Sequence, residues 1–408
     1  MENVYNTTDP QKLLALKRLE ADALLDLLRT INNSELKISQ LGRIARNVML
    51  AQLQVRKMAF YYDSKQGWKE GVRMGFAPFS EEGIEELMRM EEMTKVDKDK
   101  HPDLSRSKVE YVIPIAHHEA PMAYFLIAEF ADTEVEAQND LIFIQTLGHI
   151  LAVAIRNRQL FQEKMQQEFL RKELEVAGTI QKQLLISDFS RFKSLDIYGF
   201  NIPHHGIGGD FYDVIKKGKG TTFFCIADVS GKGIAAALLM SNVQANLRSL
   251  TAQYGSLKDI IRELNHLTFG ITSGEKFVSL FLAKMDHRKR ILTYVNAGHN
   301  PPVFRSGDEV RGLSEGCLIL GAFPDIPVSE ASLELKTGDG LFMFTDGVVE
   351  QTNQEGEMMG REKVIAELVK IKDFSARNVV AHMQHSLESF AGQANPTDDI
   401  TMLAVTFL

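Results

Sequence analysis

Aspartates in the C-terminal half of the chain fall into four short clusters: Gly208-Gly209-Asp210-Phe211-Tyr212-Asp213, Ala227-Asp228-Val229-Ser230-Gly231-Lys232-Gly233, Thr345-Asp346-Gly347 and Thr397-Asp398-Asp399-Ile400-Thr401. Three of them adjoin apolar runs that read as strands. Asp228 follows the run 223–227, Asp346 follows 341–344, and Asp398-Asp399 precede 400–407. Strand ends are rigid, so carboxylates placed there can be held in a fixed array. Hard oxygen ligands with few histidines and no paired cysteines suit Mg²⁺ or Mn²⁺ rather than Zn²⁺. Two such ions close together can activate a water and neutralise a phosphoryl group. Glycine beside an aspartate lets the backbone approach ions and substrate closely. A single Asp-Gly reads as a turn; four such clusters in one region point to a metal site.

Other residues invite chemistry and have plainer readings. Lys232 could help to hold a phosphate, or could be a solvated lysine near a helix start. Ser230-Gly231-Lys232-Gly233 lacks the spacing and the following Ser/Thr of a phosphate loop. Gly208-Gly209-Asp210-Phe211 resembles part of the diguanylate cyclase signature, but only one acidic residue precedes Phe211. His299 reads as fixing a turn through hydrogen bonds rather than as a general acid. Cys225 reads as core, and Asp213 as an ordinary strand-end residue or, less favoured, a ligand through water.

The elements that must position these residues lie in the third of three regions. Region 187–408 opens with short strands and glycine-rich turns. Strands are expected at 221–227, 277–285, 291–295, 341–344 and 400–407, with helices at 234–250, 364–369 and 376–390. Strands adjoin strands without regular crossover helices, which predicts an α+β fold rather than a doubly wound one. Before it, 158–186 is Gln-, Glu- and Lys-rich and free of proline. Leu160, Leu170, Leu174, Ala177 and Leu184 fall on one stripe that Glu163, Gln167 and Gln181 interrupt. This predicts a helix with an imperfect coiled-coil seam, either a dimerising linker or a single helix lying on the next domain. The first region reads as helices at 13–28 and, after Asn32-Asn33-Ser34, to Leu53. Strands follow at 57–62, 111–115 and 123–128, and a helix at 141–155 closes the region.

Composition bounds the function. The 408 residues carry a formal net charge of −8, and 44% are hydrophobic. An acidic surplus argues against a general nucleic-acid binder. Two cysteines, Cys225 and Cys317, cannot build a disulfide framework and fit a reducing, cytoplasmic setting. The N-terminus lacks a signal-peptide pattern. The longest uncharged apolar run, 141–155, is shorter than the roughly 20 residues a bilayer span requires. No membrane association is expected.

The ordered set 208–213, 228–233 with Ala-Ala-Leu-Leu-Met (236–240), Asn-Ala-Gly-His-Asn-Pro-Pro (296–302), Thr-Asp-Gly (345–347) with Glu350, and Asp-Asp-Ile-Thr (398–401) resembles the SpoIIE/RsbU-type branch of the PPM, protein phosphatase 2C-like, metal-dependent serine/threonine phosphatases. The segment 177–185 resembles the helix that leads into that domain, although Ile186 and Ser187 stand where the family usually has proline. The resemblance implies a β-sandwich flanked by helices, with two Mn²⁺ or Mg²⁺ ions at one end. Asp210, Asp228, Asp346 and one of Asp398 and Asp399 would bind the metals, with the Val229 backbone carbonyl. Matching to the Asp-Asn-Met-Thr motif of the wider superfamily favours Asp398. A metal-activated water would attack phosphoserine or phosphothreonine in line, without a phosphoenzyme. Neither the superfamily's phosphate-binding arginine nor its histidine near the first Asp-Gly has a match here. Substrates in this branch are typically phosphorylated STAS-type anti-anti-sigma proteins. The competing expectation is a catalytically silent scaffold.

Residues 20–157 resemble a GAF domain by element order and by the runs 58–62, 112–115 and 121–125. That implies a sensor for a small ligand, which nothing in the sequence identifies, or a dimerisation module within a homodimer. The adjacent pair His117-His118 is a poor metal clamp, because neighbours on a strand point to opposite faces.

Overall fold

The computed structural model describes residues 38–64, 67–117, 120–129, 134–204, 206–394 and 396–408. The helix expected at 13–28, the cap at 32–34 and His118 lie outside them. By internal contacts the chain divides into two compact units, residues 1–168 and 169–408.

The first unit contains α1 (Ile38–Leu53), β1 (Lys57–Asp63), β2 (Trp68–Met74), α2 (Glu81–Met88), β3 (Thr94–Lys95), α3 (Pro102–Arg106), β4 (Tyr111–His117) and β5 (Ala120–Ala128). Its antiparallel sheet has the order β2-β1-β5-β4-β3. Side chains alternate across a strand, and both faces are covered. Phe60, Ile113, Phe125 and Ile127 face Leu41, Ala45 and Met49 of α1, together with Ile144, Leu147 and Leu151. Ala59, Tyr61, Val112 and Tyr124 face Leu87 and Leu104 of the short helices.

The helical stretches expected at 141–155 and 158–186 are one helix, α4 (Glu134–Leu184). No proline interrupts it, and its glycines have packing reasons to be there. A Cβ at Gly148 would overlap the side chain of Ile115. Among the described residues, no helix is long and apolar enough to cross a membrane.

The second unit continues with β6 (Leu195–Ile202), β7 (Phe211–Lys217), β8 (Thr221–Val229), α5 (Ile234–Gln253), α6 (Leu257–Thr272), β9 (Val278–Asp286), β10 (Ile291–Ala297), β11 (Val303–Ser306), β12 (Glu309–Gly312), β13 (Gly316–Cys317), β14 (Ala331–Glu334), β15 (Gly340–Phe344), α7 (Asp346–Glu350), α8 (Gly360–Lys370), α9 (Ala376–Ala391) and β16 (Ile400–Phe407). One sheet runs β13-β10-β9-β8-β7, with β14 also paired to β10; the other runs β12-β11-β15-β16-β6. Phe224, Ile226 and Phe281 of the first sheet meet Leu341, Met343, Leu403 and Val405 of the second. The outer face of the first sheet is covered by α5 and α6 through Leu239, Met240, Ile260 and Leu264. The outer face of the second is covered by α8 and α9 through Val364, Leu368, Val379 and Met383. The result is an α+β sandwich with helices on both outer faces. β8, β15 and β16 are buried on both sides, which is why they read as unbroken apolar runs. Helix α6 was not foreseen, although Ser256 caps it by accepting from the Asp259 amide, and Leu257, Ile260, Ile261 and Leu264 follow the helical period.

Candidate functional site

The sandwich brings the aspartate clusters together at one end. Asp210 immediately precedes β7, and Asp228 is the penultimate residue of β8, so both belong to the first sheet. Asp346 opens α7 directly after β15, and Asp398-Asp399 lead into β16, so these belong to the second. The Thr345 amide donates to the Thr401 carbonyl (3.1 Å), and the Thr401 amide to Thr345 Oγ1 (3.1 Å), locking the ends of β15 and β16 side by side.

Burial and mutual repulsion dominate the electrostatics. Asp210 is only 3% exposed, and its Oδ2 has no hydrogen-bond partner. Burial, then the charge of Asp228, holds its carboxyl well above the ordinary range, against the opposing pull of the Thr345 and Thr401 hydroxyls. Asp228 is pushed up to about 7, first by burial and then by Asp346 and Asp398. Asp346 is raised by burial, by Glu350 and by Asp398. Carboxylates that desolvate and repel one another in this way are short of a cation. Among the described residues, no three His, Cys, Asp or Glu side chains converge closely enough to grip one ion as they stand. The hard-oxygen donor set and the orphaned Asp210 Oδ2 nonetheless fit a divalent cation, with side-chain rotation needed to close the ligand shell.

Asp398 and Asp399 are in different situations. Asp399 accepts the backbone N–H groups of His204 (2.7 Å) and Gly209 (2.8 Å), one on each carboxylate oxygen. It therefore ties the loop before Asp210 to the start of β16. Asp398 pairs with the Lys232 ammonium at 2.8 Å, and Lys232 also donates to the Thr397 carbonyl at 2.8 Å. Glycines permit these approaches. A Cβ at Gly208 would overlap the Asp399 carboxylate, one at Gly347 would overlap the Asp399 carbonyl, and one at Gly209 would lie 2.7 Å from the Val229 carbonyl oxygen.

The other residues singled out in the sequence lie apart from this cluster. Asp213 is buried in mid-β7, where its carboxylate pairs with Arg248 and is approached by Gln244. It is the anchor of an internal ion pair between β7 and α5. Cys225 is core. His299 is buried with Nδ1 2.8 Å from Ser279 Oγ, and burial lowers its pKa to about 4. The turn is held by Asn296 Oδ1, which accepts the His299 backbone N–H at 2.7 Å.

A neutral buried histidine makes stability pH-dependent. Its folded pKa lies below the ordinary 6.5, so the unfolded chain binds the extra proton first. The stabilisation is complete above about pH 6.5 and is lost as pH falls toward 4, by up to about 3 kcal/mol. In urea unfolding, the stability difference between wild type and His299→Gln is expected to shrink from pH 7 to pH 5. A constant difference would show that His299 does not titrate in this window.

Gln181, read in the sequence as a break in the α4 seam, has another use. Its Nε2 donates to the Gly208 carbonyl (2.7 Å), and its Oε1 accepts the Gly208 amide (3.1 Å). Gly178, on the same helix face, lies so close to the Gly206 carbonyl that a Cβ would overlap it. The usable signal was the three-residue spacing of Gly178 and Gln181, which puts both on one face. The last turn of α4 thus grips the loop that carries Asp210. Each of the two hydrogen bonds contributes ~1 kcal/mol to stability, so Gln181→Leu is expected to lower the unfolding midpoint by a few degrees and, by freeing the loop before Asp210, to lower the turnover of a phosphate ester roughly tenfold. Unchanged turnover would remove Gln181 from the site.

The layered sandwich, with acidic residues from both sheets at one end, defines a protein phosphatase 2C-like (PPM) domain. The SiaA-PP2C domain of Pseudomonas aeruginosa shares the fold, with a TM-score of 0.54 at 22% identity over 60% of this chain and 98% of that one. A family model described as Stage II sporulation protein E (SpoIIE) matches residues 218–408. Phosphoserine phosphatase RsbU of Bacillus subtilis is 30% identical over 231 residues, 54% of this chain and 68% of that protein. Protein IcfG of Synechocystis sp. is 26% identical over 270 residues, 58% of this chain but only 41% of its own length. The chain belongs to the SpoIIE/RsbU-type family of PPM phosphatases.

Proposed function

We propose that the second unit is a Mn²⁺- or Mg²⁺-dependent protein serine/threonine phosphatase that hydrolyses phosphoserine or phosphothreonine on a regulatory protein. The observation that carries this reading is the gathering of Asp210, Asp228, Asp346 and Asp398 from both sheets at one end, with a buried carboxylate oxygen left without a partner. These four would hold the ions, two by family resemblance, with the Val229 carbonyl. Divalent ions bound there supply a nucleophilic water at neutral pH and offset the phosphoryl charge.

The chain's own residues prepare the site. Asp399 spends both oxygens on backbone amides, so it acts as a positioning residue rather than a direct ligand. The Thr345 and Thr401 hydroxyls favour the ionised form of Asp210. Lys232 stands half-exposed beside the carboxylates, where its ammonium can pair with a substrate phosphate by leaving Asp398. One observation favours a silent scaffold instead: as they stand, no three acidic side chains among the described residues close on one ion. The complete aspartate set weighs against it. Turnover of p-nitrophenyl phosphate that appears only when Mn²⁺ or Mg²⁺ is added supports the enzyme; none under either ion supports the scaffold.

RsbU's name makes it a phosphoserine phosphatase, and the family resemblance implies a phosphorylated STAS-type anti-anti-sigma protein as this chain's substrate, in the cytoplasm. The proposed division is a GAF-like sensor or dimerisation domain at 20–157, a linker at 158–186 and the phosphatase domain at 187–408. The sensor would act through the grip of α4 on the 206–208 loop. Leu160, Phe161, Met165, Phe169 and Leu170 are exposed along α4, as expected of a seam awaiting a second copy. Replacing Leu170 and Leu174 with Glu is expected to halve the mass seen by light scattering; an unchanged mass would remove the homodimer seam.

A further inference from the structure

The phosphatase unit has a second charged concavity, at the other end of its sandwich. β7 runs from Phe211, beside the carboxylates, to Lys217. At ~3.3 Å per residue the two ends are ~20 Å apart. At the far end, residues 191–194, the β7–β8 turn and the β9–β10 turn enclose a cleft of about 440 Å³. Its charged side chains are Arg191, Lys193, Lys216, Lys219 and Arg290, beside His287, which burial and Lys216 keep neutral; no Asp or Glu side chain lines it. In a chain of net charge −8, such segregation in a concave wall concentrates positive potential.

Two carboxylates act on the rim from outside the lining, Asp188 on Arg191 and Asp286 on His287. Asp188 accepts the Ser190 amide at 2.9 Å, and Asp286 accepts the amides of Arg288 (2.9 Å) and Lys289 (3.0 Å), so each is engaged with its own loop. Some of the cations are structural. Arg290 donates to the Leu335 carbonyl, to the main-chain oxygen of Leu408 at the end of the chain, which also lines the cleft, and to the Thr337 hydroxyl. Arg191 lies 5.1 Å over the Phe192 ring, and the Lys216 ammonium donates to the Arg191 carbonyl. His287 is held between Thr222 Oγ1 (2.9 Å) and Ser194 Oγ (3.2 Å). Lys193 and Lys219 are exposed and have no ion-pair partner among the described residues. The wall is therefore rigid, with two ammonium groups free to close on a guest.

We propose that this cleft binds a small anion carrying two or more linked phosphate groups, at a site separate from the carboxylate cluster. Its volume lies within the roughly 300–1,000 Å³ of small-molecule pockets. The cations come from three separate chain segments, so one monoanion cannot satisfy them, whereas linked phosphates can reach from one wall to the next. Lysines pair with phosphate as point charges, so the two exposed ammonium groups need no fixed geometry to close on it.

The test is calorimetric titration of the full-length chain in EDTA, which removes divalent ions from the carboxylate end, with inorganic tripolyphosphate and with adenosine triphosphate. Saturable binding of one equivalent is expected. It should weaken at least tenfold in Lys193→Glu/Lys219→Glu, and less in Lys193→Gln/Lys219→Gln, while Asp228→Asn leaves it unchanged. Both lysines are exposed, and circular dichroism of each variant confirms folding. Equal affinity for the two probes assigns recognition to the phosphates alone; tighter adenosine triphosphate shows that the cleft also encloses the nucleoside. No saturable binding of either probe, binding that survives the double charge reversal, or tighter capture of polyglutamate than of tripolyphosphate overturns the proposal.

Discussion

Asp228→Asn and Asp346→Asn are each expected to lower Mn²⁺-supported hydrolysis of p-nitrophenyl phosphate on the order of 10³-fold, equivalent to about 4 kcal/mol of barrier. The side chains are nearly isosteric, so the fold has no reason to fail. What changes is charge. Asp228 comes from the first sheet and Asp346 from the second; after burial, the Asp346 charge is what most raises the proton affinity of Asp228, and Asp346 is itself raised by burial, Glu350 and Asp398. An amide removes the anion that a divalent ion needs and offers one oxygen in place of two. Circular dichroism should be unchanged. Near-normal turnover in both variants would sink the phosphatase reading, because both carboxylates belong to the set proposed to hold the ions.

Gly347→Ala is expected to be almost as damaging without altering any charge. The added methyl would overlap the Asp399 backbone carbonyl, and a backbone atom cannot rotate away as a side-chain end can. Either α7 or the 398–399 segment must shift. Asp346 and Asp398 then separate, and Asp399 loses its hold on the amides of His204 and Gly209. Loss of turnover of roughly 10²-fold is expected, because a displacement of about 1 Å at a reacting centre can cost that much. It should be accompanied by weaker Mn²⁺ affinity in calorimetry. Normal affinity with low turnover would place the damage at the substrate rather than at the carboxylates.

The catalytic region was legible because its chemistry is local in sequence. Each aspartate sits beside an apolar run long enough to read as a strand, and the strands pair so that their acidic ends coincide. The strands 221–227, 341–344 and 400–407 lie inside β8, β15 and β16. The contacts that assemble the site were not legible, because they join distant residues through backbone groups. Nothing in Asp398-Asp399 says that the second carboxylate accepts amides nearly two hundred positions earlier in the chain. Gln181 misled in the same way: a polar residue in an apolar stripe reads as a flaw until its partner at Gly208 is seen. The role of Asp213 is not legible locally either, because Arg248, its partner, reaches it from a helix on the neighbouring layer. Helix α6, by contrast, carries its cap and its period in the sequence.

The unpartnered oxygen of Asp210 has a practical consequence for anyone improving this protein. A buried polar atom without a hydrogen bond costs ~1–3 kcal/mol, and here burial and Asp228 also disfavour the charged form of the group. A selection that rewards only thermal resistance or soluble yield will therefore favour Asn or a small apolar residue at 210. The winners of such a selection would be well-behaved and inert. Stability rankings of variants at this position should be read backwards, with the least tolerant residue marking the place where the fold is held in reserve for its ligand.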